Sequence, residues 1–336
     1  LARHPMISIW DDHEISNDAW RLGAVNHSTD GSEGTFENRK KNAIKAYFEW
    51  MPIREPASDN SFIHRSFQIG DLVDLHMLDT RLIGRDQQLS YSNYTGLKTK
   101  QKPVHILNKT PKQFDSKQFH QDLLEPNRSI LGANQELWLE RRLKTTNATW
   151  TVLGQQVMLA PQRWSVTKDL IEQESSEDSQ ELNMAMQKQT IKPELTKNLD
   201  AWDGYPVARS RLYDMVAEHK KKLITLSGDT HFSSAHNLVA ASGRLIGAEF
   251  GTTSVTSPSF WDDVKINKIE LEKRQLDFNE GMQFLHLRNR GYLVVEIDRE
   301  KTAGKWHLID DVKTENYKTW IEKTLILEGD KKDGLI

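Results

Sequence analysis

Two short segments of the sequence carry acids and histidines in a pattern that suits metal binding. Residues 11–14 (DDHE) follow an apolar run at 5–10, and residues 228–231 (GDTH) follow an apolar run at 223–226. Carboxylate oxygens combined with imidazole nitrogens suit Zn, Mn or Fe, whereas oxygen-rich sets suit Ca or Mg. Ligand sites of layered α/β proteins gather at the carboxyl ends of strands, so the two segments can meet despite their separation in sequence.

A metal site of this composition suggests chemistry at phosphorus. One cation lowers the pKa of a bound water, and a pair of cations can clamp the attacking and leaving oxygens of an in-line displacement. A nearby histidine that is not a ligand can protonate the leaving oxygen. Gly228 allows the backbone to approach a metal ion or a phosphate closely, because it has no Cβ.

Each segment also has an ordinary structural interpretation. Asp12 can cap a helix whose first turn holds Glu14, and Asp229 can be a plain cap as well. His231 can be a partly buried histidine with satisfied hydrogen bonds. Two such segments, each directly after an apolar strand, favour the metal site over these alternatives.

The elements that must position these segments are mixed. Helical periodicity occurs over residues 41–51, 134–144 and 207–222. Strand-like segments are residues 5–10, 62–70, 72–78, 150–159, 223–226, 246–257, 291–298 and 303–310. We therefore predict an α/β fold in which helices flank a layered sheet structure. A single domain over residues 1–336 is expected, with polar insertions near 90–127 and 169–192.

Composition excludes several classes of protein. Lys and Arg number 45 against 48 Asp and Glu, a formal net charge of -3, so no basic excess points to stable nucleic-acid binding. No apolar run approaches the ~18–20 residues that span a bilayer as a helix. The sequence contains no cysteine, which excludes disulfides, zinc–thiolate sites and a cysteine nucleophile within this chain.

The segment at residues 9–20, which begins IWDDHE, resembles the PhoD-like alkaline phosphatases of the calcineurin-like metallophosphatase superfamily. Further landmarks of the resemblance follow in the same order: LDTR at 78–81, LGQQVM at 153–158, WDGYP at 202–206 and SGDTH at 227–231. The ordered set spans roughly residues 5–257 and is specific, although no single member of it is.

The resemblance implies a four-layered α/β/β/α sandwich of the metallophosphatase type, with a dinuclear metal centre. It implies metal-dependent hydrolysis of small phosphate esters, either phosphomonoesters or phosphodiesters. Asp12 takes the place of a metal-binding asparagine, and His13 takes that of the acid that protonates the leaving group. Asp229 and His231 are the further metal ligands that the resemblance implies.

The resemblance also bears on the metals and on phosphate binding. It implies Fe together with Ca, and Gln155 and Gln156 stand where the superfamily often has another histidine ligand. An amide oxygen there favours one metal held mainly by oxygen. Arg81 and Arg85 follow a strand end, where a planar guanidinium suits bidentate phosphate binding, so Arg81 joins His13 as a candidate catalytic residue. A surface salt bridge is the alternative interpretation of these arginines.

The beginning of the sequence bears on activity. The superfamily's first two metal-binding blocks precede the block that DDHE resembles, and only ten residues precede Asp11 here. The chain is therefore expected to be a fragment that is incomplete at the N-terminus and impaired on its own. The alternative function is a catalytically incomplete remnant that binds phosphate or cations. The resemblance implies a periplasmic or secreted location, and the sequence leaves the oligomeric state open.

Overall fold

The structure is a computed structural model that describes residues 3–28, 30–55, 63–94, 114–164, 198–262, 264–329 and 334–336. Five α-helices lie within these ranges: α1 (Phe36–Trp50), α2 (Ser116–Leu123), α3 (Ala133–Thr145), α4 (Pro206–Glu218) and α5 (Lys268–Phe278). The ten strands of the described ranges are β1 (Arg65–Ile69), β2 (Val73–Met77), β3 (Trp150–Gly154), β4 (Leu223–Ser227), β5 (Ser233–Val239), β6 (Leu245–Gly251), β7 (Met282–His286), β8 (Arg290–Ile297), β9 (Lys301–Ile309) and β10 (Thr319–Glu328). Short 3-10 helices cover Tyr91–Tyr94, Trp202–Gly204 and Phe260–Asp262.

The strands form two sheets. The larger has seven strands in the order β1-β2-β3-β4-β6-β5-β7, and the smaller has three in the order β10-β9-β8. Strands β2, β3, β4 and β6 run parallel to one another, whereas β1, β5 and β7 pair antiparallel with their neighbours. The carboxyl ends of β2, β3 and β4 therefore point in the same direction, and the loops that follow these strands can meet there.

Two apolar cores hold the layers together. On one face of the larger sheet, helices α3 and α4 bury Leu139, Leu143 and Leu212 with loop residues such as Trp202. On the other face, the smaller sheet packs against the larger one through a second set of buried side chains. That set includes Val152, Ile224, Ala248, Phe250, Trp306, Leu325 and Leu327. The described residues thus form a helix layer, a large sheet and a small sheet.

The predicted α/β class is confirmed, and the fourth layer of the sandwich stays a prediction. The side chains of Tyr292 and Ile321 on the smaller sheet are half exposed, 52% and 51% respectively. The described residues place no helix over these two side chains. The predicted insertion at 169–192 lies outside the described residues. The other, at 90–127, is described only in part and contains helix α2, which the sequence analysis did not expect.

Three helices and two strand pairs agree with expectation. Helices were predicted at α1, α3 and α4, and the paired strands β1–β2 and β8–β9 were predicted as well. Pro206 occupies the start of α4, where its missing N–H costs no hydrogen bond.

Two strand predictions at the site were wrong in whole or in part. Residues 5–10 form no strand, because they pair with no neighbouring strand of the described chain, although Ser8 and Trp10 are buried alternately. Strand β3 ends at Gly154 rather than at 159, and the chain then turns through residues that contact the site. No helix in the described part of the chain is long and apolar enough to cross a membrane.

Candidate metal centre

Three carboxylates converge beside the carboxyl end of β4, in the middle of the larger sheet. Asp229 lies two residues after the end of β4, and Asp11 and Asp12 lie in the segment that precedes α1. One oxygen of each residue lies within 4.8 Å of the others, and we call these three residues the acid cluster. Asp12 is 5% exposed, and its Oδ2 accepts a hydrogen bond of 2.7 Å from the backbone N–H of Asp18.

Arg81 lies beneath the acid cluster and is fully buried. Its Nε donates to Asp11 Oδ1 at 2.6 Å, and its Nη2 donates to Asp229 Oδ1 at 3.0 Å. The same Nη2 is 3.8 Å from Asp12 Oδ1. Its Nη1 donates to Asp200 Oδ2 at 2.7 Å. One guanidinium thus contacts all three members of the cluster and a fourth acid.

Asp200 connects Arg81 to a second buried arginine. Its Oδ1 and its backbone carbonyl both accept from Arg85 Nη2, and Arg85 Nη1 donates to the carbonyl of Thr80 at 3.0 Å. The guanidinium carbon of Arg85 lies 5.3 Å from the centre of the buried Tyr205 ring. Neither Arg81 nor Arg85 forms the surface salt bridge that was the alternative interpretation, since both are fully buried.

Burial and mutual repulsion dominate the electrostatics of the cluster. Burial, together with the charge of Asp11, raises the pKa of Asp229 well above its usual range, although Arg81 opposes the shift. Burial also raises the pKa of Asp11. Burial alone lowers the pKa of Arg81, but the charges of the surrounding acids outweigh it and raise that pKa well above its ordinary value. The carboxylates therefore gain from any further positive charge nearby.

The donor set fits a metal ion. Four carboxylates and the guanidinium groups of Arg81 and Arg85 form one group, whose formal charge is -2 (four negative charges and two positive) when His13 is neutral. A divalent cation balances this charge. The converging ligand atoms of the acid cluster are all oxygens, which favours a hard cation such as Ca²⁺, Mg²⁺ or Mn²⁺.

A buried aspartate shapes the loop that carries Arg81. Asp79 Oδ1 accepts from the backbone N–H groups of Arg81 and Leu82 at 2.7 and 2.9 Å. Gln135 of α3 fixes the same residue from the other side, because its amide accepts from the Asp79 N–H and donates to the Asp79 carbonyl, both at 2.8 Å. The loop after β2 is thereby tied to the helix layer.

The two glutamines after β3 form hydrogen bonds that connect neighbouring loops. Gln156 Oε1 accepts from the N–H and the hydroxyl of Thr80 at 3.0 and 2.6 Å, and Nε2 donates to the Trp10 carbonyl at 2.7 Å. Gln155 Oε1 accepts from the indole of Trp202 at 2.9 Å. Both amide oxygens are thus engaged by protein donors, and Gln156 joins the segment before Asp11 to the loop that carries Arg81.

A further buried acid fixes the end of β4. Glu249 on β6 is fully buried and accepts from the backbone N–H groups of Leu159 and Ala160, both at 2.7 Å. Its Oε1 also accepts from the hydroxyl of Ser227, the last residue of β4, at 2.5 Å. Burial raises the pKa of Glu249 from 4.5 to about 7. Glu249 thus joins the loop after β3 to the strand that leads to Asp229.

The two predicted histidines lie at different distances from the acid cluster. His13 has a side chain that is 76% exposed, and its Nε2 is 3.7 Å from Asp12 Oδ2 and 3.0 Å from Asn17 Oδ1. Nδ1 of His231 donates to the carbonyl of Pro258 at 2.6 Å. His231 is outside the group of ligand atoms within 4.8 Å that the described residues form. Its role as a metal ligand stays a prediction.

The loop after β4 has an unusual backbone. Asp229 and His231 both adopt positive φ angles, 67° and 58°. Residues other than glycine seldom occupy this region, and aspartate and histidine tolerate it better than most. Such strain gathers at functional sites, where surrounding contacts hold it in place.

The structure thus brings together Asp12, Asp229 and Arg81 of the predicted set, with His13 at the rim. The sequence pattern did not single out Asp11 as a member of the acid cluster or Asp200 as the partner of both arginines. Asp11 could have been found, because it is adjacent to Asp12 in the same motif. Asp200 lies in a stretch without periodicity, and only the nearby WDGYP landmark gave a signal.

Comparison with known proteins adds a family to this geometry. The model of the family described as PhoD-like phosphatase matches residues 1–306 of the chain. Alkaline phosphatase D of Bacillus subtilis (strain 168) is 29% identical over 301 residues. That similarity covers 87% of this chain and 42% of the relative, so the chain spans less than half the length of the relative.

Solved structures extend the comparison to the fold. The structure of PhoD matches with a TM-score of 0.69 and 23% sequence identity, and the match covers 98% of this chain and 53% of that one. At this identity the likeness supports the fold alone. A purple acid phosphatase isolated from yellow lupin (Lupinus luteus) seeds matches with a TM-score of 0.42 at 9% identity, over 88% of this chain and 37% of that one.

Proposed function

The chain belongs to the PhoD-like phosphatase family, and on this premise we propose that it hydrolyses phosphate esters at the acid cluster. PhoD-like phosphatases depend on metal ions, and three converging carboxylates support a metal ion at this position. One observation carries the proposal: Asp229 is distant in sequence from Asp11 and Asp12, yet their oxygens lie within 4.8 Å.

The residues of the cluster have separate tasks in this proposal. Asp11, Asp12 and Asp229 each offer one carboxylate oxygen to the cation. A bound cation supplies Lewis-acid stabilisation of phosphoryl oxygens and lowers the pKa of water. Arg81 holds Asp11 and Asp229 in position, since its nitrogens already donate to carboxylates. In His231, the bond from Nδ1 to the Pro258 carbonyl orients the ring and leaves Nε2 for a cation.

His13 is the proposed acid for the leaving group. It is exposed to solvent beside the cluster, where a substrate can reach it. Burial opposes protonation of the ring, but the hydrogen bond to Asn17 and the charges of Asp12 and Asp11 outweigh it and raise the pKa of His13. A protonated His13 can give its proton to the leaving oxygen, which needs one as the ester bond breaks.

The metals and substrates of the proposal rest mainly on the family. The resemblance implies Fe with Ca, and the all-oxygen acid cluster supports the hard cation of that pair. Small phosphate esters, either monoesters or diesters, are the proposed substrates. An exported enzyme, periplasmic or secreted, would release phosphate from organic esters outside the cytoplasm, and fractionation of cells with an antibody to the chain tests this location.

The test measures activity and metal content together. The full chain is assayed with p-nitrophenyl phosphate and bis-p-nitrophenyl phosphate in the presence of Ca²⁺, Mn²⁺ or Fe³⁺, and its bound metal is measured by mass spectrometry. Asp229→Asn keeps the size of the side chain but removes its charge. The matched control is Asp214→Asn. Asp214 is exposed on α4 and does not belong to the acid cluster.

The expected result is turnover of at least one ester by the wild-type chain and by Asp214→Asn. Asp229→Asn is expected to lose turnover by at least 100-fold and to lose metal in parallel. Equal turnover and metal content in both variants would refute the assignment of the site. A chain that binds metal at the cluster but turns over neither ester would favour the catalytically incomplete remnant.

A further inference from the structure

A cavity opens at the opposite end of the strands of the larger sheet from the acid cluster. It has a volume of about 1220 Å³, and its walls include Lys222 just before β4 and Leu245 at the start of β6. These are the amino ends of parallel strands, whereas the acid cluster follows their carboxyl ends. No residue of the acid cluster lines the cavity, and the five residues of β4, which span roughly 16 Å, separate Lys222 from Asp229.

The cavity is strongly basic. We call it the basic cleft, after five cationic residues in its walls: Arg163, Lys220, Lys221, Lys222 and Arg244. Two acids, Glu280 and Glu328, also line it, which leaves a formal charge of +3 (five minus two) in a chain whose net charge is -3. Local charge of this sign in an acidic protein marks a place where an anion is favoured.

Two of these cations are available to a ligand. Arg163 and Lys220 are exposed, and neither side chain has a carboxylate partner in the part of the chain that the structure describes. Two other cations already serve the fold: Lys221 Nζ donates to the carbonyl of Thr146 at 2.7 Å, and Arg244 Nη1 donates to that of Ala217 at 3.0 Å. Arg163 and Lys220 are therefore the groups free to hold an anionic group.

The inner wall of the basic cleft carries buried polar groups without partners. His236 is 1% exposed, and neither ring nitrogen has a hydrogen-bond partner among the described residues. Tyr213 is 6% exposed, and its hydroxyl likewise has no partner there. Buried groups of this kind are nearly always hydrogen-bonded in folded proteins. Both residues line the cavity, so a bound molecule can satisfy them.

The chemistry of the inner wall is that of a neutral donor and acceptor. Burial lowers the pKa of His236 to about 3, so the imidazole is uncharged at neutral pH and offers one N–H and one acceptor nitrogen. Burial raises the pKa of Tyr213, so the phenol keeps its proton. His236 and Tyr213 can therefore form hydrogen bonds with hydroxyls of a ligand, whereas Arg163 and Lys220 can bind its negative charge.

We propose that the basic cleft binds a small organic phosphate, with the phosphate group held by Arg163 and Lys220 and hydroxyls of the organic part hydrogen-bonded to His236 and Tyr213. A phosphate group carries nearly two negative charges at pH 7, so one group matches much of the local charge. The cavity exceeds the volume of inorganic phosphate many times over and is large enough to hold an organic ligand.

Calorimetric titration with 3,4-dihydroxybutyl phosphonate tests the proposal. Its C–P bond is not an ester, so the protein's proposed activity does not consume it. The titration uses the full chain, both wild type and Asp229→Asn, because binding that persists in Asp229→Asn does not depend on the acid cluster. Failure of the proposed phosphatase function therefore leaves this test intact. Citrate, inorganic phosphate and 1,2,4-butanetriol serve as comparison ligands.

We expect one site per chain in Asp229→Asn, with affinity that weakens as NaCl is raised. The double variant Arg163→Gln/Lys220→Gln should weaken binding at least tenfold. The matched control Lys117→Gln/Arg141→Gln removes the same charges from exposed positions on α2 and α3 and should bind normally. Tyr213→Phe, which removes only the unpartnered hydroxyl, should weaken binding several-fold.

Several results would overturn the proposal. An absence of binding would mean that the cavity holds only water. Equal binding by Arg163→Gln/Lys220→Gln and its control would mean that Arg163 and Lys220 do not take part in the site. Tighter binding of citrate than of the phosphonate would assign the site to carboxylates. Unchanged affinity in Tyr213→Phe, together with equal affinity for inorganic phosphate, would mean that the inner wall plays no part.

Discussion

Arg81 is the residue around which the acid cluster is organised. An arginine that is 0% exposed and contacts four carboxylates is costly to desolvate, and the cost is offset only while its partners surround it. The same guanidinium keeps the three cluster carboxylates close together before a metal ion arrives. Its role in this account is to position ligands, which differs from the bidentate phosphate contact that the sequence suggested.

Replacing Arg81 should make stability depend on metal ions. Arg81→Met leaves Asp11, Asp200 and Asp229 without their shared cation, and removal of one partner from a buried ion pair costs about 3–5 kcal/mol. We expect added Ca²⁺ or Mn²⁺ to restore part of this loss, measured by urea unfolding with and without the cation.

The control for this prediction is Arg299→Met, which breaks an exposed pair with Asp71. Exposed pairs contribute about 0–1 kcal/mol, so this variant should unfold almost like the wild type. A loss of similar size in both variants, or no response of Arg81→Met to cations, would contradict the role given to Arg81.

Glu249 should make the stability of the chain depend on pH. Its pKa is about 7 in the folded chain and 4.5 ordinarily, so the folded state binds more protons between these values. The contribution is therefore fully present below pH 4.5 and is lost as the pH rises through 7. Glu249→Gln stays neutral, and urea unfolding should show a flatter stability profile between pH 5 and 7 than in the wild type.

Glu140→Gln on the exposed face of α3 is the matched control for Glu249→Gln. It removes the same charge from solvent and should leave the profile unchanged. The difference between Glu249→Gln and the wild type should not exceed about 3 kcal/mol over this range. Parallel profiles for wild type and Glu249→Gln would mean that Glu249 titrates normally.

At the scale of elements, the loop after β2 depends on one close backbone contact. A Cβ on Gly84 would lie 2.0 Å from the carbonyl oxygen of Leu131 and 2.3 Å from the nitrogen of Gly132. Both atoms are backbone, so neither can rotate away. Gly84 lies between Arg81 and Arg85, and this contact fixes the loop that carries both.

Gly84→Ala should therefore disturb both stability and the site. Overpacking of this kind costs about 1–3 kcal/mol, and we expect the upper part of that range, measured by urea unfolding. Metal affinity should fall as well, because Arg81 moves with the loop. In Gly228→Ala the nearest atom to the new Cβ is 3.8 Å away, so its unfolding free energy should stay close to that of the wild type. Equal stability of the two variants would contradict the packing described.

Element predictions from the sequence succeeded where the pattern is local. The helix face of α1 and the two apolar runs around Gly70 and Asp71 identify a helix and a hairpin without further information. Strand β5 was missed, because its segment SSAHNLV buries two serines and a histidine that are polar in isolation. Residues 5–10 have strand composition but no partner strand in the described chain, and pairing cannot be read from one segment.

The site was predictable in part for the same reason. Asp12 and Asp229 each follow an apolar run and do lie close together, although only the run before Asp229 is a strand. The burial of Arg81 was not predictable, because arginine is rarely buried and only the surrounding acids explain it. The family resemblance is confirmed by the match over residues 1–306, whereas His13 and His231 stay predictions.

At the scale of the whole molecule, charge is separated along the strands of the larger sheet. The acid cluster lies at the carboxyl end of β4, and the basic cleft includes the amino ends of β4 and β6. The net charge of -3 for the whole chain does not reveal this separation of charge. The metal ion that we propose at the acid cluster and the organic phosphate that we propose in the basic cleft would therefore bind at different ends of these strands.

Metal binding should stabilise the whole fold. A ligand present at 100 times its Kd adds about 2.7 kcal/mol to the unfolding free energy of a chain that binds it only when folded. We expect 1 mM MnCl₂, taken as about 100 times the Kd, to raise the Tm of the wild type by several degrees. Asp229→Asn should show almost no rise, and Asp214→Asn should respond like the wild type. A rise of equal size in all three proteins would place the responsible cation elsewhere.

The most direct test locates the cation itself. Crystals of the full chain grown with MnCl₂ are measured at a wavelength where manganese scatters anomalously. We expect an anomalous peak within bonding distance, about 2.0–2.6 Å, of carboxylate oxygens from Asp11, Asp12 and Asp229. A map with no peak there, or with its strongest peak away from these three residues, would contradict the account.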